Sequence, residues 1–455
     1  MPTAYTILFL LIILVALSTW FIPSGSYDYV DGVPVAGTYH ATQANPQGIG
    51  DILKAAFSGF YDAVDVCVFI LMVGGFLGVV MKTGAIDAGV SNVIALLGGR
   101  EKWLIPILML FFGLGGTTYG MWEETMAFYP LLIPVFLAAG YDAVVGISVI
   151  LLGAGAGVIA STVNPFATGI AAGFAGVSLG EGIVLRLLEW VAFEAAAIWF
   201  VMAYAAKVKK NPSKSVVGVG AGKIQVSMDQ QVPFTAKRKV IMALFTLTFL
   251  IMVYAVVPFD EMGLSLPALG WWFPELSALF LVAGVVIGLI DRMSEEELVE
   301  TYVAGCADLL GVAFIIGISR GITVLMNDGA ITDTVLHWGE QALSGAGAIS
   351  FTLLVFALYL PLTILIPSSS GLATLSIPIV APLGKFAGVG GDLVVTAFQS
   401  ASGLVNIITP TAAVVMGALA LGHVPYDRWV KYVWKLILWF LLLALAFLVA
   451  GVLLG

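Results

Sequence analysis

Apolar runs of about 20 residues recur along the whole chain, separated by short polar stretches. A bilayer core of about 30 Å calls for helical runs of that length. The pattern predicts single spans at about 5–22, 64–82, 183–206, 240–257, 274–291, 307–326 and 430–454. A shorter segment at 87–98 reads as an interfacial or partial span. Residues 5–22 have no basic stretch before them and no small-residue cleavage site after them, so they read as a first span rather than a signal peptide.

Four stretches break the pattern. Residues 103–139 and about 343–387 are too long for one span and carry polar interruptions, "GGTTYGMWEE" (115–124) and "IPSSSGLATL" (366–375). Residues 143–176 and 393–422 are interrupted midway by "ASTVNPFATG" (160–169) and "GLVNIITPT" (403–411). A bilayer core has no water for free N–H and C=O groups, so broken backbone survives there only when buried in protein or lining a cavity. The pattern therefore predicts two re-entrant hairpins and two discontinuous helices.

The two halves resemble each other. "FILMVGGFLGVVMKTGAI" (69–86) aligns with "FIIGISRGITVLMNDGAI" (314–331), "AFYPLLIP" (127–134) with "LSIPIVAP" (375–382), and "STVNP" (161–165) with "NIITP" (406–410). The matches keep one order and a nearly constant offset, as internal repeats do. A basic stretch, 207–239, with eight Lys or Arg, separates residues 1–206 from 240–455. With that stretch in the cytoplasm and both hairpins returning to their side of entry, 15 of the 19 Lys and Arg fall inside. This is the positive-inside bias. It puts the amino terminus inside and makes the repeats opposite in topology, a plan many secondary transporters use. The expected fold is an all-α polytopic membrane protein of two inverted repeats, each with a hairpin and a discontinuous helix.

Composition agrees: 60% of residues are apolar and 10% charged, against about 25% charged in soluble domains. The net charge of -9 comes mostly from loop acids and points to no nucleic-acid partner. "GVGAGK" (218–223) lacks both the first glycine of a phosphate loop and a Ser or Thr after its lysine, which argues against nucleotide binding. Cys67 and Cys306 read as small core residues. The stretches "GYD" (140–142), "GGD" (390–392) and "PAL" (267–269) do not complete an intramembrane protease pattern, so Asp142 and Asp392 read as helix caps and no catalytic residue is expected. A channel would also use broken helices. Hairpins entering from opposite faces favour alternating access instead.

The candidate chemistry lies at the breaks. The first tip offers Thr117 and Thr118, and the second Ser368, Ser369, Ser370 and Thr374. The two interruptions offer Ser161, Thr162, Asn164 and Thr168, then Asn406, Thr409 and Thr411. Hydroxyls and helix amino termini suit a carboxylate. Asn164, Asn406 and the tip carbonyls suit a sodium ion. Glu123 and Glu124 are the only charged side chains between Trp103 and Ala139, and intramembrane acids are costly and functional by default. Neighbours on a helix point about 100° apart, so one acid is expected to face the site, holding an amino group or a proton, and the other to hold the loop. Arg320 is the basic residue furthest inside a span and suits a substrate carboxylate or an acid partner. No cofactor is expected beyond sodium or a proton as coupling ion.

"GGTTYGMWEETMAFYPLLIPV", "GYDAVVGISVILLGAGAGVIASTVNPFATGIAAG" and "IPSSSGLATLSIPIVAPLG" resemble the YfcC-like branch of the anaerobic four-carbon dicarboxylate carrier family, within the ion transporter superfamily. The resemblance implies a homodimer in the inner membrane, in which a mobile transport domain slides elevator-fashion against a fixed scaffold. The Ser-Asn-Thr tips of better-known superfamily members are absent: the tips here read Thr117-Thr118-Tyr119 and Ser368-Ser369-Ser370. The branch is often labelled as basic amino acid antiporters, and an acidic pair suits a substrate bearing an amino group. The expectation is an ion-coupled secondary transporter of a small amino-acid-like or carboxylate metabolite, with four-carbon dicarboxylates as the alternative cargo.

Overall fold

The computed structural model describes residues 4–31, 33–86, 88, 89, 92, 100–118, 120–178, 180–217, 233–256 and 266–454. Most of the 87–98 segment, Tyr119 and the "GVGAGK" stretch lie outside them. The described chain is mostly helical, with two short strand pairs between residues 25 and 41. Its first half contains α1 (Ala4–Ser18), α2 (Ile49–Asp62), α3 (Val64–Lys82), α4 (Leu104–Thr118), α5 (Tyr129–Ala138), α6 (Ala143–Ile159), α7 (Ile170–Ala175) and α8 (Ile183–Lys210). The second contains α9 (Ala236–Val256), α10 (Phe273–Asp291), α11 (Glu295–Asp328), α12 (Thr332–Leu343), α13 (Ala348–Leu365), α14 (Ser369–Phe386), α15 (Gly391–Asn406), α16 (Ala413–Leu421) and α17 (Tyr426–Leu454). Five of these are long and apolar enough to cross a membrane, so the protein is an integral membrane protein.

All four expected interruptions are breaks in helix. Residues 120–128 part α4 from α5 and include a 3-10 turn at Glu123–Phe128; Ile366–Ser368 part α13 from α14. Residues 160–169 part α6 from α7, and 407–412 part α15 from α16. Two elements depart from the sequence reading. α2 and α12 are amphipathic and polar on one face, so a search for apolar runs passes over them. The first span is also shorter than expected. α1 ends at Ser18, where Thr19 Oγ1 donates back to the Ala16 carbonyl (2.6 Å) and accepts from Gln47 N (2.8 Å).

Helices α1, α2, α3, α9, α10 and α11 pack chiefly on one another. So do α4–α8 with α13–α17. Small residues set the first group. A Cβ on Gly74 would stand 2.5 Å from the Gly305 carbonyl oxygen, and one on Gly78 2.9 Å from Gly305 Cα. α3 and α11 thus cross backbone to backbone, as small-xxx-small pairs allow. Gly59 of α2 meets Gly317 and Gly321 of α11 in the same way. In the second group α4 lies on α6 through Gly116 and Gly157, and α6 lies on α15 through Gly403.

The groups meet along one seam, where α11 faces α16 and α3 faces the 3-10 turn. Phe128 packs on Phe249 of α9 there, ring centroids 4.7 Å apart. The contacts Lys82–Glu297, Lys209–Glu101 and Lys237–Asp291 gather at one end of the bundle, with both flanks of the basic linker. At the other end residues 24–47 fold over α12, with Asp333 accepting from Tyr27 N (3.0 Å) and Tyr29 Oη (2.8 Å).

The α3–α11 crossing gives a direct expectation. Gly305→Leu should destabilise the protein by about 1–3 kcal/mol through overpacking, seen as a lower unfolding temperature in detergent. Gly173→Ala, with nothing within 4 Å of its added Cβ, should leave that temperature unchanged.

Candidate functional site

The first hairpin tip and the first interruption are sewn together by backbone bonds. The Thr117 carbonyl accepts from Thr162 N (2.9 Å) and Val163 N (3.2 Å), and Thr117 Oγ1 donates to the Ala160 carbonyl (2.8 Å). Thr168 Oγ1 donates to Ser161 Oγ (2.6 Å), both side chains fully buried. A five-residue turn follows, closed by Gly169 N on the Asn164 carbonyl at 2.8 Å. Gly120 holds φ at +79°, and a Cβ there would strike the Asn164 side chain. Both facts demand glycine at the tip.

The second tip and interruption use shorter ties. Ser368 caps α14 by accepting from Gly371 N (3.2 Å), and Thr374 Oγ1 donates to the Ser370 carbonyl (2.9 Å). The carbonyls of Ile407 and Ile408 accept from Trp429 Nε1 (3.1 Å) and Tyr426 Oη (2.7 Å) of α17. Thr409 and Thr411 share a hydroxyl bond of 2.9 Å.

The two adjacent acids open the 3-10 turn and take different surroundings. Glu124 is buried, and its Oε2 accepts from Trp122 N at 3.1 Å. Glu123 instead lines a cavity of about 40 Å³ on the seam. Arg320 and Ser319 of α11 line it too, with Pro367 of the second tip. Asn406 and Thr411 of the second interruption and Val66 of α3 complete the wall. Ser319 Oγ crosses the seam to donate to the Thr411 carbonyl. Asn406 Oδ1 is buried with no hydrogen-bond partner, an open acceptor beside the cavity. Arg320 Nε lies 3.8 Å from Asp62 Oδ2. Asp65 and Arg320 both lie close enough to Glu123 for their charges to act on it, so Asp62, Asp65 and Glu123 stand near one arginine.

Four of the expected site residues, Glu123, Arg320, Asn406 and Thr411, therefore share one cavity. Thr117, Ser161, Thr162 and Thr168 spend their hydroxyls in the weld between first tip and first interruption, while Asn164 packs at Gly120. Thr118 bonds its own helix at Leu114, and Ser368–Ser370 with Thr374 form the turn that starts α14. Ser319 and Val66 were not expected; Ser319's place beside Arg320 was the available signal. A separate, larger cavity of about 1300 Å³ lies nearer the Glu295 end of α11 than Ser319 and Arg320 do. Asp308 and Val312 of α11 form one wall, and Met416, His423, Arg428 and Lys431 the other.

Residues 1–453 match the model of the DcuC family, C4-dicarboxylate anaerobic carrier. The chain belongs to that family. It is a family of membrane transporters. An uncharacterised protein of Haemophilus influenzae is 35% identical over 99% of this chain and 97% of its own. An Escherichia coli K12 protein, provisionally named basic amino acid antiporter YfcC, is 30% identical over 95% of this chain and 92% of its own. Among solved structures, the YdaH transporter of Alcanivorax borkumensis is 14% identical, with coverage of 98% of each chain and a TM-score of 0.44. MtrF of Neisseria gonorrhoeae, of a class of antimetabolite efflux pumps, is 18% identical over 98% of this chain and 94% of its own, with a TM-score of 0.43.

The division between the acids is testable. Glu124→Ala removes the acceptor for Trp122 N, so it should lower stability by about 1–3 kcal/mol. Glu123→Gln should leave stability unchanged. Chemical unfolding of the purified variants reads both.

Proposed function

We propose that this carrier is an ion-coupled secondary transporter of a small amino acid, with basic amino acids as the best fit. One observation carries the reading: a carboxylate, Glu123, and a guanidinium, Arg320, line the same cavity. An α-amino acid presents the complementary pair. Its ammonium matches Glu123 and its carboxylate matches Arg320, which can bind it in bidentate fashion. Acids outnumber the arginine three to one around this spot, which suits a second positive charge on the cargo. Asn406 Oδ1 offers an acceptor for cargo or for a coupling sodium ion.

The cavity is far below the roughly 300 Å³ of an occupied small-molecule pocket. It lies between the two helix groups, so it enlarges only if they part. We read α4–α8 with α13–α17 as the mobile transport group, and α1–α3 with α9–α11 as the scaffold, in a homodimer with elevator motion. Glu123 and Asn406 then travel with the cargo, while Arg320 is fixed and engages it in one state. The two halves correspond to inverted repeats in this reading. With the basic linker in the cytoplasm, the 1300 Å³ cavity is the inward vestibule. Four-carbon dicarboxylates are the second reading, favoured by the family's description.

A thermal-shift screen of purified protein against amino acids and dicarboxylates, with and without sodium, separates the two. Lysine or arginine should raise the unfolding temperature, and Glu123→Gln should abolish both that shift and uptake. Arg320→Ala should weaken binding about 10- to 100-fold, the loss of one charge-assisted bond of about 1.5–3 kcal/mol. Stabilisation by succinate alone, unchanged in Glu123→Gln, would favour the dicarboxylate reading.

A further inference from the structure

Away from the cavity, a second intramembrane acid stands without any visible partner. Glu194 of α8 is 2% exposed, and neither of its carboxylate oxygens has a hydrogen-bond partner. It presses on α4 at Gly113, where any Cβ would strike the carboxylate. Glu189, on the same helix, differs: its Oε1 accepts from Ser400 Oγ at 2.8 Å.

Among the described residues, the surroundings supply no counter-ion. α4 and α6 carry no titratable side chain. On α17, Phe440 packs on Phe193 beside Glu194, with ring centroids 4.7 Å apart. The last charged residue of α17, Lys435, is exposed and lies over the Trp434 ring at 5.6 Å. Tyr432 faces Tyr204, and these hydroxyls bond to Ser148 and Asp142. On α8 itself, Arg186 lies eight residues before Glu194 and donates to the Glu181 carbonyl at 3.0 Å. The described residues place no ion pair on Glu194. One turn before it, the buried indole N–H of Trp190 also lacks an acceptor.

A carboxylate cannot remain ionised in such a seat without compensation. It must hold a proton or a cation. A metal cation needs several oxygen ligands at once, and the adjoining stretch of α4 reads Phe111-Phe112-Gly113-Leu114-Gly115, with no side-chain oxygen. A proton needs none. We propose that Glu194 is the seat of the coupling proton. The O–H bond forms when the transport group stands toward one side and water reaches the carboxylate, and it breaks to water when the group stands toward the other. Gly113 lies in the arm of the first hairpin, whose tip leads to Trp122 and Glu123 at the cavity. Glu194 and Glu123 therefore lie in the same helix group and travel together, which links proton to cargo.

This inference rests on the transporter reading, so two measurements keep them apart. In proteoliposomes loaded with a pH dye, wild-type protein should move protons when L-lysine is added. Glu194→Gln should keep counterflow of labelled lysine at wild-type speed and lose the proton flux, while Glu189→Gln keeps both. Lysine-driven proton flux that survives in Glu194→Gln would overturn the proposal. The second measurement needs no cargo: the infrared carbonyl stretch of a protonated carboxyl group in purified protein at neutral pH. Glu194→Gln should remove intensity from that band, and an unchanged band would equally overturn the assignment. Absence of lysine counterflow in the wild type would count against the cargo reading, and the infrared band would still decide Glu194.

Discussion

Everything in this fold follows from the need to satisfy broken backbone inside a bilayer. Each free amide or carbonyl costs several kcal/mol in hydrocarbon. The chain meets this at the first half by welding one break to another, with Thr117 taking two amides from the strand of residues after Ala160. In the second half it meets it with side chains, Trp429 and Tyr426 reaching back from α17 to two carbonyls. Hairpins, interruptions and the long α17 are thereby tied together by hydrogen bonds. The backbone-close packing of α3 on α11 builds a second group beside them.

Two helix groups that share one seam place the chemistry where they meet. The cavity draws on both tips, one interruption and α11, and it holds an acid, a base and an open amide oxygen. These groups do not neutralise one another within ion-pair distance among the described residues; Arg320 leans instead toward Asp62 at 3.8 Å. A zwitterion would find both of its charges answered. Polar cross-links over the seam are few, with Ser319 to Thr411 the clearest, which suits a surface that slides.

The breaks were legible in the sequence because glycine, proline and hydroxyl residues interrupt apolar runs at matched places in two halves. The two amphipathic helices were not, since α2 and α12 lack the long apolar run that marks a span. Which of Glu123 and Glu124 faces the cavity was also hidden. It depends on a 3-10 turn, with about three residues per turn, and on Trp122 N claiming one carboxylate. The role of the hydroxyls was only partly visible. Composition shows that Thr117 and Thr162 are polar, but only packing shows that they bond each other rather than a solute. Nor does the sequence show that Glu194 faces Gly113 of α4, because that depends on how α8 packs.

The central claim is that the hairpin-bearing group moves as a body along the seam. Spin labels at Leu53 of α2 and Phe386 of α14, both exposed, report across it, and labels at Leu53 and Leu310 report within the scaffold. With Cys67 and Cys306 replaced, electron–electron distances are measured with and without saturating L-lysine. The account predicts that the Leu53–Phe386 distance redistributes between two populations while Leu53–Leu310 stays single. A Leu53–Phe386 distance that does not change, in protein that transports lysine, would contradict it.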